Sequence, residues 1–437
     1  MAQTVQFGTD GIRGKAYEEI TIDLAYRLGR AVATVFAAPV FVGYDTRESS
    51  PVLAAAVLAG LFDGGSHATN LGYFTTPGVA LIAQQRGGAG VVVSASHNPY
   101  YDNGLKVLGL GGSKLDHATE EAVARALSEA PSPEATTFAP TPIDTTATAA
   151  YVAHVRALVP GDFSSLHVVL DCANGAASDV APVLFAATGA RVSVIHNQPD
   201  GRNINEVCGS THPESLVEAV GREGADLGLA FDGDADRLIA VDADGTVRDG
   251  DDLMVLFALD LVRRDELGGG VVVTSMSNLG LHRALRANGI NVVETDVGDR
   301  NVLIALEEQG WYFGGEQSGH LIYRRLTPTG DGLLTGLLLC DLVCRRGPLG
   351  PQVASAWTRG PQALVNVARD AYDDAYVRGL YADLVRAKGL DADDARLLVR
   401  RSGTEPVVRV MVEALDAAFV EEFSRRVRSF FLSQQRP

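Results

Sequence analysis

Three aspartates alternate with small residues in the segment 232–236, which reads Asp-Gly-Asp-Ala-Asp, and Arg237 follows directly. In an extended chain, residues two apart point the same way, so the three carboxylates can converge on one cation. Hard oxygen ligands favour Mg²⁺ or Ca²⁺ over zinc. An EF-hand is excluded, because its sixth position would be Arg237 instead of glycine and its twelfth Ala243 instead of glutamate. We predict a metal site whose ligands are Asp232, Asp234 and Asp236.

A serine beside a histidine follows a short apolar run at 91–93. The segment 94–99 reads Ser-Ala-Ser-His-Asn-Pro, and its proline turns the chain off the sheet because it disfavours helical geometry in the preceding residue. The ends of parallel strands are where α/β proteins place catalytic groups. Ser96 with His97 fits a nucleophile and equally a capped turn, and the Gly-x-Ser-x-Gly elbow of acyl transfer is missing. Lys106, a little further on, could bring an ammonium group to a phosphate on Ser96.

Two further loops combine glycine with groups that bind sugars or phosphates. The segment 314–320 reads Gly-Gly-Glu-Gln-Ser-Gly-His, in which glycines admit a ligand and the polar side chains offer partners to hydroxyl groups. The segment 400–406 reads Arg-Arg-Ser-Gly-Thr-Glu-Pro, a composition that suits a phosphate cradle. Taken alone, the segment 314–320 is better explained by a plain glycine turn, and the segment 400–406 is explained as well by a surface turn with capping hydroxyls. The candidate residues are Glu316, Ser318, His320, Arg400, Ser402, Gly403, Thr404 and Arg409.

The elements that must position these loops are short strands alternating with helices. Apolar β-branched runs predict strands at 40–43, 91–93, 167–171, 191–195, 227–231 and 271–274. Ala/Leu-rich runs between them predict helices at 51–62 and 179–188, and another from Leu279. This alternation indicates parallel α/β layers. Asp244-Gly245 predicts a hairpin turn between 238–241 and 246–248.

The chain is long enough for about three domains. Breaks in the pattern fall in the Pro/Thr-rich stretch 128–150, near Gly250, and in the Gly/Pro-rich stretch 348–361. Beyond the last break, strands alternate with helices at 374–388 and 417–432, which suits a small α+β domain. We therefore expect four domains, at 1–147, 148–249, 250–360 and 361–437.

The composition argues against two classes of partner and favours a location in the cytoplasm. A net charge of −17 argues against nucleic acid and anionic membrane surfaces, whose binding needs extended basic patches. No apolar run approaches the ~20 residues of a membrane helix, and the first residues lack a signal-peptide pattern, so we expect a cytoplasmic protein. The four cysteines show no zinc or disulfide spacing, and we interpret them as buried free thiols: Cys172, Cys208, Cys340 and Cys344.

Five segments, taken together and in this order, resemble the α-D-phosphohexomutase family over essentially the whole chain: 7–14, 94–99, 232–237, 314–320 and 400–406. Three stretches, 205–214, 297–300 and 315–320, together with Ser-Gly-Thr-Glu-Pro at 402–406, are similar to the branch that acts on glucosamine phosphates. Arg401 stands where that branch often has proline.

The resemblance implies a fold of three related mixed α/β domains and a smaller C-terminal α+β domain around a central cleft. It implies that Ser96 is a phosphoserine and holds Mg²⁺ together with the three aspartates. Glu316, Ser318 and His320 would bind sugar hydroxyls, and the loop with Arg400 and Arg409 would hold the phosphate that does not react. Positive charge for the transfer would come from Arg13, Lys106 and Arg237, and either Lys106 or His97 would be the general acid/base.

The implied reaction interconverts glucosamine 6-phosphate and glucosamine 1-phosphate through glucosamine 1,6-bisphosphate, an isomerisation that serves cell-wall amino-sugar synthesis. The first alternative is a mutase of mannose or glucose phosphates with the same machinery. A catalytically silent sugar-phosphate sensor is opposed by the intact serine, aspartates and phosphate cradle. A phosphatase would result if the bisphosphate escaped before it turned over. The expected partner is a small phosphosugar, and the protein could be a monomer or a homodimer.

Overall fold

The computed structural model describes residues 11–134, 137–391, 393–401 and 406–434. Four sheets succeed one another along the chain, each with its own helices. We call the corresponding parts the first, second, third and fourth units, and they contain the elements named below.

The first unit contains five strands and five helical segments: β1 (Ile12–Lys15), α1 (Ile22–Val35), β2 (Val40–Tyr44), α2 (Ser50–Asp63), β3 (Ala68–Tyr73), α3 (Thr76–Gln85), β4 (Ala89–Val93), β5 (Asp102–Leu108), a 3₁₀ turn (Leu110–Gly112) and α4 (His117–Glu129). The strand order is β1-β5-β4-β2-β3. Strands β2, β3 and β4 are parallel, whereas β5 runs antiparallel to both β4 and β1. Strands β2 and β4 are buried along their whole length, which is why they read as continuous apolar runs.

The second unit repeats this arrangement with α5 (Ala147–Leu158), β6 (His167–Asp171), α6 (Ala177–Ala186), β7 (Arg191–Ile195), a 3₁₀ turn (Gly209–Thr211), α7 (Glu214–Glu223), β8 (Leu227–Phe231), β9 (Leu238–Asp242) and β10 (Val247–Arg248). The strand order is β10-β9-β8-β6-β7. Strand β6 is parallel to β7 and β8, and β9 turns back antiparallel beside β8. The loop after β8 therefore occupies the same position in its sheet as the loop after β4 in the first.

The third unit contains α8 (Gly250–Arg263), β11 (Gly270–Thr274), α9 (Leu279–Ala287), β12 (Asn291–Thr295), α10 (Asp299–Gln309), β13 (Phe313–Gly315), β14 (Leu321–Tyr323), α11 (Gly332–Arg346) and α12 (Leu349–Ala356). Its order, β12-β11-β13-β14, matches the other two sheets without their edge strands β1 and β10. Strand β13 is parallel to β11 and antiparallel to β14. The three larger units are thus related mixed α/β structures, and each places a loop between its last parallel strand and the returning strand.

The fourth unit is a smaller antiparallel sheet, ordered β15-β17-β16, with two helices. Its elements are β15 (Gln362–Ala368), α13 (Asp374–Lys388), β16 (Ala395–Arg401), β17 (Val407–Ala414) and α14 (Ala417–Gln434). It is joined to the third unit by Asn278, whose side-chain amide donates to the carbonyl of Gly360 and to Glu413, each at 3.0 Å.

One continuous apolar core runs through the first three units and includes Phe74, Tyr151, Phe231 and Leu337. Tyr151 also donates its hydroxyl to Asp331 at 2.9 Å, so the second and third units share a buried polar contact as well. Among the described residues, no helix is both long and apolar enough to cross a membrane.

Most predicted elements are confirmed, and three strands, β6, β7 and β8, have the predicted bounds. The predicted irregular stretch 128–150 is too long at both ends, because α4 continues to Glu129 and α5 begins at Ala147. The interpretation of all four cysteines as buried is wrong for Cys344, which is exposed on α11 although Cys340, one turn earlier, is buried. Four residues along a helix advance slightly more than one turn, and here that step reaches the edge of the buried face.

Candidate active site

Ser96 lies in the loop that leaves β4, and its backbone is in the left-handed region with φ of 53°. The side chain of Ser94 accepts the Ser96 N–H at 2.9 Å, which holds this turn from within. Ser96 Oγ donates to Asp232 Oδ2 at 2.6 Å and lies 3.2 Å from His97 Nδ1. The predicted nucleophile of the first unit therefore contacts the loop 232–237 of the second unit, which carries the three aspartates and which we call the metal loop.

The carboxylates of Asp232, Asp234 and Asp236 converge after β8, with one oxygen of each within 4.8 Å of the others. All three residues are buried. Within the described parts of the chain, Asp234 Oδ1 and Asp236 Oδ1 have no hydrogen-bond partner. Buried carboxylate oxygens without a partner are costly unless a cation or ligand satisfies them. This donor set of hard oxygens fits Mg²⁺.

Lys106 lies among these carboxylates: its Nζ donates to Asp234 Oδ2 at 2.7 Å and is 3.6 Å from Asp236 Oδ2. The sequence suggested that this ammonium would face a phosphate on Ser96, but its hydrogen bond here is to the metal loop. Thr76, at the start of α3, donates its hydroxyl to the same Asp234 oxygen at 2.5 Å. Sequence reasoning missed Thr76, because no motif marks this residue for chemistry.

The three carboxylates are electrostatically unequal. Burial and the negative charges of Asp236 and Asp234 raise the pKa of Asp232 to about 8. Burial also raises the pKa of Asp236, but the ammonium of Lys106 and the imidazole of His320 outweigh it, so the net shift of that pKa is downward. Crowded carboxylates with opposing shifts are typical of functional sites.

Two arginines and a histidine complete this part of the site. Arg237 donates its backbone N–H to Asp232 Oδ1 at 3.2 Å, and its Nε lies 4.0 Å from Asp232 Oδ2 and 3.9 Å from Asp236 Oδ1. Arg13 is on β1, opposite Gly104 of β5. Burial, then the positive charges of Arg237 and Arg13, lower the pKa of His97 to about 4. His97 is therefore neutral near pH 7 and can accept a proton.

The loop between β13 and β14 brings His320 to the same place. Its Nδ1 is 3.5 Å from Asp236 Oδ1, and its Nε2 is 3.5 Å from Asp299 Oδ2. Burial lowers the pKa of His320, but the charges of Asp236 and Asp299 outweigh it and raise the pKa to about 9. His320 thus lies within ion-pair distance of both Asp236 in the metal loop and Asp299 in its own unit.

The other two residues of that loop have different surroundings. Glu316 is buried, and its Oε1 accepts the backbone N–H of Gly298 at 2.9 Å. Ser318 has a buried hydroxyl with no hydrogen-bond partner among the described residues. Glu316 therefore has one oxygen committed to its own unit, while Ser318 retains its capacity for a ligand hydroxyl.

Arg400 and Arg409 stand directly opposite each other on the antiparallel strands β16 and β17. Arg401 pairs with Val408, so its side chain points to the other face of the sheet. Register alone thus distinguishes two adjacent arginines that the sequence could not. The three remaining candidates of this loop, Ser402, Gly403 and Thr404, lie outside the described residues.

Models of one protein family match almost the whole chain in four successive parts. They are described as Phosphoglucomutase/phosphomannomutase, with α/β/α domain I at residues 4–134, domain II at 149–245, domain III at 249–359 and the C-terminal domain at 364–429. The chain belongs to the phosphoglucomutase/phosphomannomutase family. The family predicted from the sequence is confirmed.

Relatives of known name agree with this membership. A protein of Moorella thermoacetica named phosphoglucosamine mutase is 46% identical over 430 residues, which cover 95% of this chain and 96% of the relative. A crystal structure of a phosphoglucomutase/phosphomannomutase family protein from Burkholderia thailandensis is 25% identical, with a TM-score of 0.81 over 99% of this chain and 98% of that one. The N-acetylphosphoglucosamine mutase of Aspergillus fumigatus, solved with GlcNAc-6P and magnesium, shares the fold at 19% identity, with a TM-score of 0.65 over 97% of this chain and 95% of that one.

Proposed function

We propose that this family member is a phosphoglucosamine mutase, which interconverts glucosamine 6-phosphate and glucosamine 1-phosphate through a phosphoserine at Ser96. The observation that carries the proposal is the 2.6 Å hydrogen bond from Ser96 Oγ to Asp232, inside the group of buried carboxylates. The name of the Moorella relative, with which this chain aligns almost end to end, supports glucosamine as the sugar. The product would serve cell-wall amino-sugar synthesis.

The metal we propose is Mg²⁺, held by Asp232, Asp234, Asp236 and the phosphoryl group on Ser96. Asp234 Oδ1 and Asp236 Oδ1, which have no hydrogen-bond partner among the described residues, support this assignment, as does the magnesium in the fungal structure. The ion would neutralise charge on the transferred phosphoryl group. Lys106 would orient the carboxylate of Asp234, since its ammonium already donates to that carboxylate at 2.7 Å.

In the proposed first half-reaction, O1 of glucosamine 6-phosphate attacks the phosphorus of phospho-Ser96, and the bond from phosphorus to Oγ breaks. The O1 hydroxyl must lose a proton and Ser96 Oγ must gain one. His97 and Lys106 are the candidates for these transfers, with His97 as the acceptor and Lys106, whose ammonium already carries the proton, as the donor. The lowered pKa leaves His97 neutral near pH 7, although it also makes the imidazole a weaker base, and its Nδ1 lies beside Oγ. Arg13 and Arg237 would supply positive charge around the phosphoryl group.

The resulting 1,6-bisphosphate must then turn over, so that its 6-phosphoryl group moves to Oγ and leaves glucosamine 1-phosphate. Glu316, Ser318 and His320 would hold sugar hydroxyls in both orientations, and Arg400 and Arg409 would hold the phosphate that does not react. Directly opposed guanidinium groups repel each other, and a phosphate between them would offset that repulsion. We propose Ser402, Gly403 and Thr404 for the same cradle.

The residues proposed for this mechanism come from all four units. We propose that the units correspond to domains at 1–147, 148–249, 250–360 and 361–437. Each would contribute one loop to a central cleft. A small phosphosugar is the proposed partner, and a cytoplasmic monomer or homodimer stays a prediction.

Replacing Arg400 or Arg409 by alanine should raise KM far more than it alters magnesium affinity. Loss of a charge-assisted contact to the distal phosphate should cost about 2–5 kcal/mol in kcat/KM. Steady-state kinetics with a magnesium titration measures both quantities. Arg401→Ala is the matched control and should be milder, because that side chain points to the opposite face of the sheet. Normal KM values in both Arg400→Ala and Arg409→Ala would place the cradle elsewhere.

A coupled mutase assay across four sugar phosphates tests the proposed function directly. We expect the highest kcat/KM for glucosamine phosphate, measurable activity on glucose and mannose phosphates, and poor activity on N-acetylglucosamine phosphate because of its bulk. One small substituent often discriminates by only ~1–3 kcal/mol, so side activity is consistent with the proposal. Equal or better efficiency on mannose phosphate would make this a phosphomannomutase, the second candidate, with the same machinery.

A further inference from the structure

We call the loop 94–101, between β4 and β5, the serine loop. Two of its backbone carbonyls, those of Ser96 and Asn98, accept hydrogen bonds from the same two side chains. Arg47 Nη2 donates to both oxygens at 2.9 Å. Asn205 Nδ2 donates to the Ser96 oxygen at 2.9 Å and to the Asn98 oxygen at 3.1 Å. The guanidinium group belongs to the first unit and the amide to the second.

Arg47 is fully buried, and most of its side-chain hydrogen bonds go to carbonyl groups in or next to the serine loop. Its Nη1 donates to the carbonyl of Asp102 at 3.1 Å and also contacts the carbonyl of Pro99. Its Nε forms an ion pair with the buried Asp45 at 2.8 Å. A buried guanidinium spread over neighbouring carbonyls fixes the path of that chain segment, because each bond constrains a different peptide.

Asn205 approaches the same loop from a turn that the second unit holds firmly. It has a φ of 56° in the left-handed region, and its N–H donates to the carbonyl of Ala173 at 2.9 Å. Asp171, at the end of β6, accepts the N–H groups of Ala173 and Gly209 at 2.9 Å each, which ties both sides of this turn to one carboxylate. The amide of Asn205 is therefore presented by the second unit, which also carries the three aspartates.

We propose that Asn205 is a positioning residue for Ser96. By bonding the carbonyls on both sides of His97, it holds the serine loop at a fixed distance from the aspartates of its own unit. Arg47 fixes the shape of the loop within the first unit, whereas Asn205 fixes its place relative to the metal loop. The inference rests on the proposed function of Ser96 as the phosphoryl carrier.

The physical reason for such a device is the conformation of Ser96. A non-glycine residue in the left-handed region is strained and persists only where its surroundings hold it. The nucleophile and the carboxylates also come from different units, so the contacts between these units set their separation. A misplacement of about 1 Å between reacting groups can cost about 10²-fold in rate.

The test is Asn205→Asp, which keeps the size of the side chain and its tolerance of the left-handed region but removes both donated hydrogen bonds. We expect kcat to fall about 10- to 100-fold, while KM for glucosamine 6-phosphate changes less than about threefold. The transfer step should slow by the same factor when enzyme already phosphorylated on Ser96 is mixed with sugar phosphate and its loss of phosphate is followed by intact mass. Arg47 still bonds both carbonyls, so the fold should be retained.

Asn203→Asp is the matched control, since its amide donates to Gln198 within the same turn and not to the serine loop. It should keep kcat within about twofold, since substitutions away from a special contact usually have small effects. Asn205→Gly, which removes the donor without adding charge, should reproduce the loss seen with Asn205→Asp, and it decides the outcome if the latter does not fold.

Three results would overturn the inference: kcat within about twofold of the parent in the Asn205 variants, an equal loss in Asn203→Asp, or a loss that appears only in KM. Ser96→Ala distinguishes this failure from failure of the proposed function. An inactive Ser96→Ala beside a fully active Asn205→Asp would reject only the positioning role. A fully active Ser96→Ala would reject the phosphoserine itself.

Discussion

Replacing Ser96 by alanine should lower kcat by several orders of magnitude, and the purified parent protein should carry phosphate on Ser96 in part of its molecules. The Ser96 hydroxyl lies at the meeting point of the serine loop and the metal loop, bonded to Asp232. Removing it removes the atom that carries the phosphoryl group between substrate molecules, and nearby groups cannot replace a covalent intermediate. A coupled assay measures the loss, and intact mass with peptide mapping locates the phosphate.

Ser94→Ala is the control for this experiment. Ser94 accepts the backbone N–H of Ser96, so its loss disturbs the same loop but leaves the hydroxyl in place. We expect a decrease of about fivefold, in keeping with one lost hydrogen bond of about 1 kcal/mol. A Ser96→Ala variant with full turnover, or no phosphate on Ser96 in an active preparation, would contradict the mechanism.

Removal of magnesium by excess chelator should abolish turnover, and Asp234→Asn should weaken both magnesium binding and catalysis by about 100-fold or more. Loss even of groups that merely support a ligand typically costs about 10- to 100-fold, and Asp234 is a proposed ligand. Asp234 also accepts hydrogen bonds from Lys106 and Thr76 with one oxygen, which leaves the other for the ion. Calorimetric titration and steady-state kinetics measure the two effects.

Magnesium should also raise the melting temperature of the parent protein, because an ion that binds only the folded state stabilises it and relieves repulsion among the three carboxylates. The rise should be smaller in Asp234→Asn. Asp244→Asn is the control: it removes a carboxylate from the exposed turn between β9 and β10 and should leave both magnesium binding and activity close to those of the parent. Full activity in chelator would refute the metal assignment.

Much of the fold could be predicted from the sequence, because its elements leave local patterns. Strands buried along their whole length, such as β6 and β8, read as short apolar runs, and the predicted bounds of β6, β7 and β8 are those observed. Asp244-Gly245 predicted the hairpin because Gly245 adopts the positive φ of 79° that such a turn requires. The prediction was less accurate where a pattern was only compositional: the bounds of the Pro/Thr-rich stretch 128–150 are too wide, since they include the end of α4 and the start of α5.

The sequence by itself also determined which groups are available for chemistry. Alternating aspartates after an apolar strand predicted converging carboxylates, and the serine and histidine at 96 and 97 were predicted at the end of a strand. The carboxylates do converge, but the predicted reason, an extended chain, is wrong: the segment turns at 233–235, and Ala235 has a positive φ of 59°.

Only the tertiary structure decided which of these groups meet. Ser96 and Asp232 are 136 positions apart, and their contact depends on how two units pack and on a left-handed turn that no local pattern requires. The same packing places Lys106 and Thr76 within hydrogen-bond distance of Asp234, and no sequence motif marked Thr76. Strand register, likewise, separates Arg400 from Arg401. Such contacts join distant segments, so they are set by the summed packing of whole units and leave no mark on the adjacent residues.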